Sequence, residues 1–476
     1  MTTASKPSSK PSSKPSFKTD HTSTRTVLLI SSGYHLYREY LLRLVSSHAR
    51  VWLFLDREPQ WERPFVVGAT QVDTLDLPAM IAAARALPDD VSIDGVICWD
   101  EIRIVHAHQL AEALGLPSGP SEAIGRCRDK HKTRTALAAA GVPQAISILV
   151  STAAEASAAA DRIGYPVIVK PRALGASYGV SLANTPDELA SAYDHARDSH
   201  EDGVPRFDAG VLIEEYMEGP EISVDAAFVD GVMQPMFLAR KVTGFFPHFE
   251  EIGHVVDAAD PLLWDPPLRA VLAGAHQAVG VKNAITHTEL RLTSTGPKIV
   301  EINARLGGDM IPFVGWTASG IDPGQAAVEV ACGDSATVVH SSRKVAAIRF
   351  FYPPHDATVL SLSLDESQLP AASTVVAKPL AQPGQQLILP PADHVSGRYA
   401  YAVVRGACTE ACDAAAQAAE RAFTLTVGPA QAAQPAEAAI AAPVVCPICA
   451  TDHGAAPCAR VPATRGGVAA AEYAAS

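Results

Sequence analysis

Short apolar runs and helix-period patterns alternate through the first quarter of the chain. TVLLI, RVWLFLD and DGVICWD read as buried strands, and REYLLRLVSS and IVHAHQLAEALG as helices beside them. That alternation predicts a small parallel α/β domain over 25–122. Next, DKHKTRTALAAAGVP predicts a helix closed by Gly141, with Pro143 beyond it. YPVIVKP is a strand, RALGASYG a small-residue loop and GVSLAN a further strand, and Thr185-Pro186 opens another helix. VLIEEYM and EISVDAAFVDGVMQPMFLAR add antiparallel strands. A hairpin follows, with strands at 286–292 and 298–303 joined through Ser294, Thr295 and Gly296.

Folding that hairpin about Thr295 sets Glu289 opposite Glu301. Cross-strand partners lie about 5 Å apart, where like charges destabilise a sheet. The period of two places Glu301, Asn303 and Arg305 on one face, and Val300, Ile302 and Ala304 on the other, apolar one. A cation between the two glutamates is the expectation. Two carboxylates and an amide suit Mg²⁺, with Mn²⁺ as an alternative. The plain alternative is a solvated acidic hairpin end.

The pattern divides the chain into 1–24, a tail; 25–122, the α/β domain; 123–335, the central lobes; 336–428, an α+β unit; and 429–476, an Ala/Pro-rich tail. Residues 5–16 repeat SKPS, a composition that buries too little apolar surface to order itself. The chain has 476 residues, 48% hydrophobic and 19% charged, as ordinary globular proteins do. A net charge of −13 argues against nucleic acid as a partner. No transmembrane run and no signal-peptide core occur, so a cytoplasmic enzyme or binding protein is expected. Eight cysteines in this length do not make a disulfide scaffold. Near the end, Cys446, Cys449, His453 and Cys458 are spaced as a zinc quartet or as unliganded thiols.

Lys170 ends a buried strand and is followed by Ala173, Gly175, Ala176, Ser177 and Gly179. Small residues let backbone N–H groups approach phosphate oxygens, and Ile168 adds an apolar floor on the lysine's face. A glycine-rich loop that binds nothing is the alternative. IEEYMEGPE offers carboxylates, Glu214 and Glu221, around an extended segment through Met217, as an adenosine requires. An acidic strand edge facing water is the plainer reading. LGGD supplies a loop, through Gly308, whose N–H groups can approach a substrate.

Taken in order, RDKHKTR with Lys130, YPVIVKP with Lys170, EEYMEGPE, THTELRL and EINARLGG resemble the ATP-grasp ligases. The twelve-residue step from Glu289 to Glu301, followed by Asn303 and Arg305, is similar to the metal and catalytic pattern of that superfamily. DGVICWDE, PHFEEIGHVV, RLGGDMIP and VAAIRFFYPP resemble the dipeptide-forming L-amino acid ligases most. The resemblance covers about 26–428. It implies α/β and α+β architecture: an ATP-grasp fold with an N-terminal parallel α/β domain and a C-terminal α+β domain. It implies an ATP-dependent carboxylate–amine ligase acting on small molecules through an acyl phosphate. A carboxylase or other small-acid ligase and a non-catalytic nucleotide-binding regulator are the alternatives, and homodimers are common among such relatives. By resemblance, Lys130, Lys170 and Ser177 bind ATP phosphates, Glu214 and Met217 hold adenine, and Glu221 holds the ribose. Glu289, Glu301 and Asn303 hold Mg²⁺, and Arg305 is catalytic. Glu101, His254, Gly308 and Asp309 line the amino-acid pockets, although Asp309 is also placed to cap a helix starting at MIPFVGW.

Overall fold

The structure, a computed structural model, describes residues 25–175, 177–200, 204 and 210–430. The SKPS repeats, Ala176 and the Cys446, Cys449, His453, Cys458 quartet lie outside the described residues.

The N-terminal part contains β1 (Thr26–Ile30), α1 (His35–His48), β2 (Arg50–Leu55), β3 (Gly68–Gln71), α2 (Leu77–Arg85), β4 (Gly95–Ile97) and α3 (Ile104–Ala113). Its four strands are parallel in the order β3-β2-β1-β4. Every residue of β1 is buried, which is why TVLLI reads as an unbroken apolar run rather than an alternating one.

Two short helices, α4 (Ser121–Arg128) and α5 (Lys130–Ala139), lead into the central lobes. Asp129 caps α5 by accepting from the His131 and Lys132 backbone N–H groups. The same carboxylate takes both Nε and Nη2 of Arg172 at 2.7 Å, fixing the loop after the lysine strand to the start of α5.

The first lobe holds β5 (Ser147–Val150), α6 (Ala153–Ile163), β6 (Val167–Pro171), β7 (Ser181–Ala183), α7 (Pro186–Asp198) and β8 (Val211–Glu215). Its sheet runs β5-β8-β6-β7. Both helices are capped by threonines, Thr152 and Thr185, each accepting from the N–H three residues on.

The second lobe is built on a larger sheet. It takes β9 (Glu221–Val229), β10 (Val232–Gly244), β11 (Glu250–Asp257), the covering helix α8 (Pro266–Val279), β12 (Ala284–Thr293) and β13 (Gly296–Asn303). After α9 (Ile311–Ser319) and α10 (Pro323–Ala331) come β14 (Val345–Phe351), β15 (Ala357–Leu364), β16 (Thr374–Pro379), β17 (Gln386–Leu387), β18 (Ala400–Gly406), α11 (Thr409–Glu420) and β19 (Phe423–Pro429). Strands from both sides of residue 335 make one eight-stranded sheet, β13-β12-β9-β10-β11-β14-β18-β16. β15, β17 and β19 form a separate three-stranded sheet. Among the described residues no helix is long and apolar enough to cross a membrane.

Gly219 shows why EYMEGPE contains a glycine. Its φ is 139°, and a Cβ there would meet the Leu292 carbonyl oxygen at 2.1 Å. Only glycine lets the link between β8 and β9 pass this close to β12.

Candidate active site

The hairpin of β12 and β13 pairs Glu289 with Glu301, as expected, by an unexpected route. The turn is one residue tighter than a fold about Thr295, since Thr293 pairs with Gly296. The register then shifts by one between Leu290↔Ile299 and Glu289↔Glu301, leaving Val300 as the extra residue. The bulge restores the facing pair. It also turns Val300 toward the pocket beside Glu301, correcting its assignment to the opposite, apolar face.

Two pockets meet at this pair. One, of about 800 Å³, is lined by Lys130, Lys170, Ser177, Glu214, Met217 and Glu221, with Ile168 as apolar floor. The other, of about 600 Å³, is lined by Asn303, Arg305, Gly308, Asp309, His287 and Arg398. Glu251, Glu289 and Glu301 border both. Every predicted nucleotide residue thus lies on the first pocket, and Asn303, Arg305, Gly308 and Asp309 lie on the second.

The charges are paired in ways the chain order does not reveal. Glu289 lies 2.9 Å from Lys241 Nζ, and Glu301 lies 3.0 Å from Lys130 Nζ. Lys241 also meets Glu221 at 2.5 Å and Glu251 at 2.8 Å. Burial opposes both charges, yet the three carboxylates raise the Lys241 ammonium well above its usual range. Lys241 and His287 in turn hold Glu289 well below the carboxylate range against burial. His287, two residues before Glu289 on the same strand face, bonds Asp225 at 2.5 Å. Against its burial, that carboxylate first and Glu289 second push the imidazole up to about 9.

Glu214 sits at the back of the first pocket. Arg134 grips it through Nε at 2.7 Å and Nη2 at 2.9 Å, and Lys170 Nζ lies at 2.7 Å. Burial would protonate it, but the two cations keep it ionised. Its partners here are these buried cations. Lys130 donates to the Leu174 carbonyl at 2.6 Å, so it spans the small-residue loop and Glu301.

Glu101 does not border the pockets themselves. It is buried behind Arg305, 2.5 Å from Nε, with Arg128 at 3.5 Å on its other side. It aims the guanidinium rather than offering a surface to a ligand. His254 is fully buried between Glu251 at 3.3 Å and Asp309 at 3.6 Å. Burial lowers its basicity, but the two carboxylates outweigh that and raise it. Asp309 departs from the cap expectation. The helix α9 is preceded by Met310 in the left-handed region, with no side-chain cap. The Asp309 carboxylate instead takes both Nη atoms of Arg398, at 2.8 and 2.9 Å.

Sequence reasoning missed Lys241, Arg134, His287 and Arg398. Lys241 closes the apolar run MFLAR as Lys170 closes VIV, and the same signal could have found it. Arg134 stands one helical turn after Lys130, so the helix prediction already put both on one face. Arg398 lies in an irregular segment with no local pattern, and only the fold brings it to Asp309.

Glu289 and Glu301 border both pockets and Asn303 the second, a donor set that would suit a hard, oxygen-preferring divalent cation. Comparison with known proteins agrees with the architecture. Residues 163–312 match the model of an ATP-grasp domain. The alanine–anticapsin ligase of Bacillus subtilis (strain 168) is 28% identical over 260 residues, 50% of this chain and 54% of that protein. The chain spans little more than half the length of the curated relatives it matches. The crystal structure of an L-amino acid ligase from Bacillus licheniformis superimposes with a TM-score of 0.71, covering 85% of this chain and 98% of that one at 21% identity. The biotin carboxylase domain of the Hydrogenobacter thermophilus 2-oxoglutarate carboxylase, solved with MgADP and bicarbonate, gives 0.62 at 17% identity over 85% and 91%.

Proposed function

We propose, from the premise that this chain carries an ATP-grasp domain within an ATP-grasp fold, that it is an ATP-dependent ligase. It joins the carboxylate of one small molecule to the amine of another, both amino acids or close analogues. The observation that carries this is the pair of pockets sharing Glu251, Glu289 and Glu301. The larger suits a nucleotide, and its polar neighbour suits an acid and an amine brought to the γ-phosphate.

A carboxylate is a poor electrophile until one of its oxygens becomes a good leaving group. Its attack on the γ-phosphorus of ATP forms an acyl phosphate and releases ADP. The amine nitrogen then attacks the acyl carbon, the bond to the phosphate oxygen breaks, and the nitrogen gives up a proton. A divalent cation held by Glu289, Glu301 and Asn303 would neutralise phosphate charge during transfer. Lys130 and Lys170 hold the phosphates, with the Ser177 loop closing over them. The Met217 backbone takes adenine and Glu221 the ribose. Arg305, aimed by Glu101, faces the charge that develops on the acyl phosphate and on the tetrahedral adduct. Gly308 and Asp309 border the space for the amino substrates, while His254, expected there too, is buried outside both pockets and braces Glu251 and Asp309 from behind.

A carboxylase of the same fold would need to recognise only bicarbonate. The lining of the second pocket carries carboxylates as well as Arg305, partners for an ammonium as well as for an acid, and so favours amino substrates. Phosphate release assayed over amino acids in pairs, with products identified by mass spectrometry, tests the reading. Turnover that needs two amino compounds and yields an amide supports it. Turnover with bicarbonate in place of an amino acid, or none with any acid and amine, overturns it.

A further inference from the structure

Arg134 makes four close hydrogen bonds with one guanidinium. Nε and Nη2 grip Glu214 on β8, and Nη1 and Nη2 donate to the carbonyls of Ile299 and Val300 at 3.0 and 2.9 Å. The last two contacts are unusual. In a regular antiparallel strand, successive carbonyls point to opposite sides. One guanidinium can donate to two consecutive carbonyls where the strand is bulged, and Val300 is the bulge. β13 is also the outer strand of its sheet, bordered on that side, among the described residues, by a single bridge between Ile299 and Gln144, so Arg134 fills a place that no full strand takes.

We infer that Arg134 is a positioning residue, which staples the Val300 bulge and so aims Glu301 at the cation site it shares with Glu289. The inference rests on the proposed cation-binding role of that pair. The same guanidinium spans both lobes. Its Glu214 partner belongs to the sheet β5-β8-β6-β7 and its carbonyl partners to the eight-stranded sheet. The distance between the phosphate lysine Lys170, bonded to Glu214, and the metal carboxylate is therefore set through one side chain. The fork geometry is what the job requires. A lysine at 134 reaches Glu214 as a point charge but cannot serve two carbonyls and a carboxylate together.

Arg134→Lys separates the two duties. It retains positive charge beside Glu214 and removes the staple. Binding of Mn²⁺ in the presence of ADP, followed by electron paramagnetic resonance, should weaken by about tenfold or more, as for other groups that orient metal ligands. ADP affinity in chelator should stay within about twofold. Deleting Val300 removes the bulge while leaving Glu301 next in line to face Glu289. The deletion should weaken Mn²⁺ binding by itself, and Arg134→Lys added to it should cause no further loss. Full Mn²⁺ affinity in Arg134→Lys, or losses that simply multiply in the double variant, overturns the staple. If Arg134→Lys does not fold, the Val300 deletion decides: undiminished Mn²⁺ affinity there overturns it. A wild-type enzyme that takes up no Mn²⁺ with ADP refutes the cation site itself, and the inference with it.

Discussion

Replacing Lys241 with methionine removes one buried ammonium from among three carboxylates. Its Nζ lies 2.5, 2.8 and 2.9 Å from Glu221, Glu251 and Glu289. Methionine matches the aliphatic stem, so little packing is lost and the effect is mainly electrostatic. Removing one partner of a buried ion pair costs about 3–5 kcal/mol. The carboxylates are 12–17% exposed and border a solvent-filled pocket, which places the expectation near the lower end, about 3 kcal/mol. Glu221 keeps Arg291 at 2.7 Å, so the loss falls on Glu251 and Glu289. For a chain of this size that corresponds to a melting temperature lower by roughly 3–4 °C. The pH dependence follows from the directions of the shifts. Glu289 and Glu251 have depressed pKa values in the folded protein. Their stabilisation is present above the unfolded carboxylate range and fades as pH falls through the folded values. Lys241 is shifted upward, so its contribution holds throughout neutral pH and fades only in strong alkali. The variant lacks that depression, and its crowded carboxylates take up protons more readily. The gap between the two proteins should therefore be full at pH 7.5 and narrow at pH 5. Millimolar Mg²⁺ should also raise the variant's melting temperature more than the wild type's. Equal melting temperatures at pH 7.5, or a gap that widens on acidification, would refute the reasoning.

Three further outcomes are expected. Asp309→Asn removes the bidentate carboxylate of Arg398, whose side chain is 2% exposed, leaving it Glu250 at 3.6 Å, and should cost about 3 kcal/mol in denaturant unfolding while KM for ATP stays constant; an unchanged midpoint would show that the pair contributes nothing. Glu101→Gln loosens Arg305 without touching either pocket, so kcat should fall by about a hundredfold, the cost of a roughly 1 Å misplacement; a normal kcat in steady-state kinetics would remove Glu101 from the machinery. Deleting 431–476 should leave ligation intact because its Ala/Pro-rich composition reads as a linker; loss of activity, or a zinc requirement, would make that segment part of the enzyme.

The local signals were the readable ones. β1, β2 and β6 are fully or nearly fully buried, and such strands announce themselves as apolar runs. The glutamate pair was legible because hairpin register follows from turn position, although the tighter turn and the Val300 bulge cancelled each other. What sequence spacing cannot carry is who neutralises whom. Glu214 was read as a ligand for adenine, yet its carboxylate is held by Arg134, 80 residues away, and by Lys170. Asp309 was read as a cap or as a free charge in a pocket, and Arg398, 89 residues on, engages it. Such pairings depend on long-range packing, which leaves no mark at either position alone.

The eight-stranded sheet sets an order for synthesis. β9 to β13 can pair with one another as soon as residue 303 has left the ribosome, but β11 then has an open side. Its neighbour there, β14, lies about 90 residues later in the chain than β11 and meets Gly253 through Asp257. Until β14 arrives, β11 is a bare strand edge containing His254, Val255 and Val256, all buried in the finished protein. Such an edge invites pairing with other chains. A nascent chain that stalls in the interval 304–344 is therefore a sticky intermediate, and a fragment ended at 335 would hold the hairpin glutamates and still lack the strand that keeps it from aggregating.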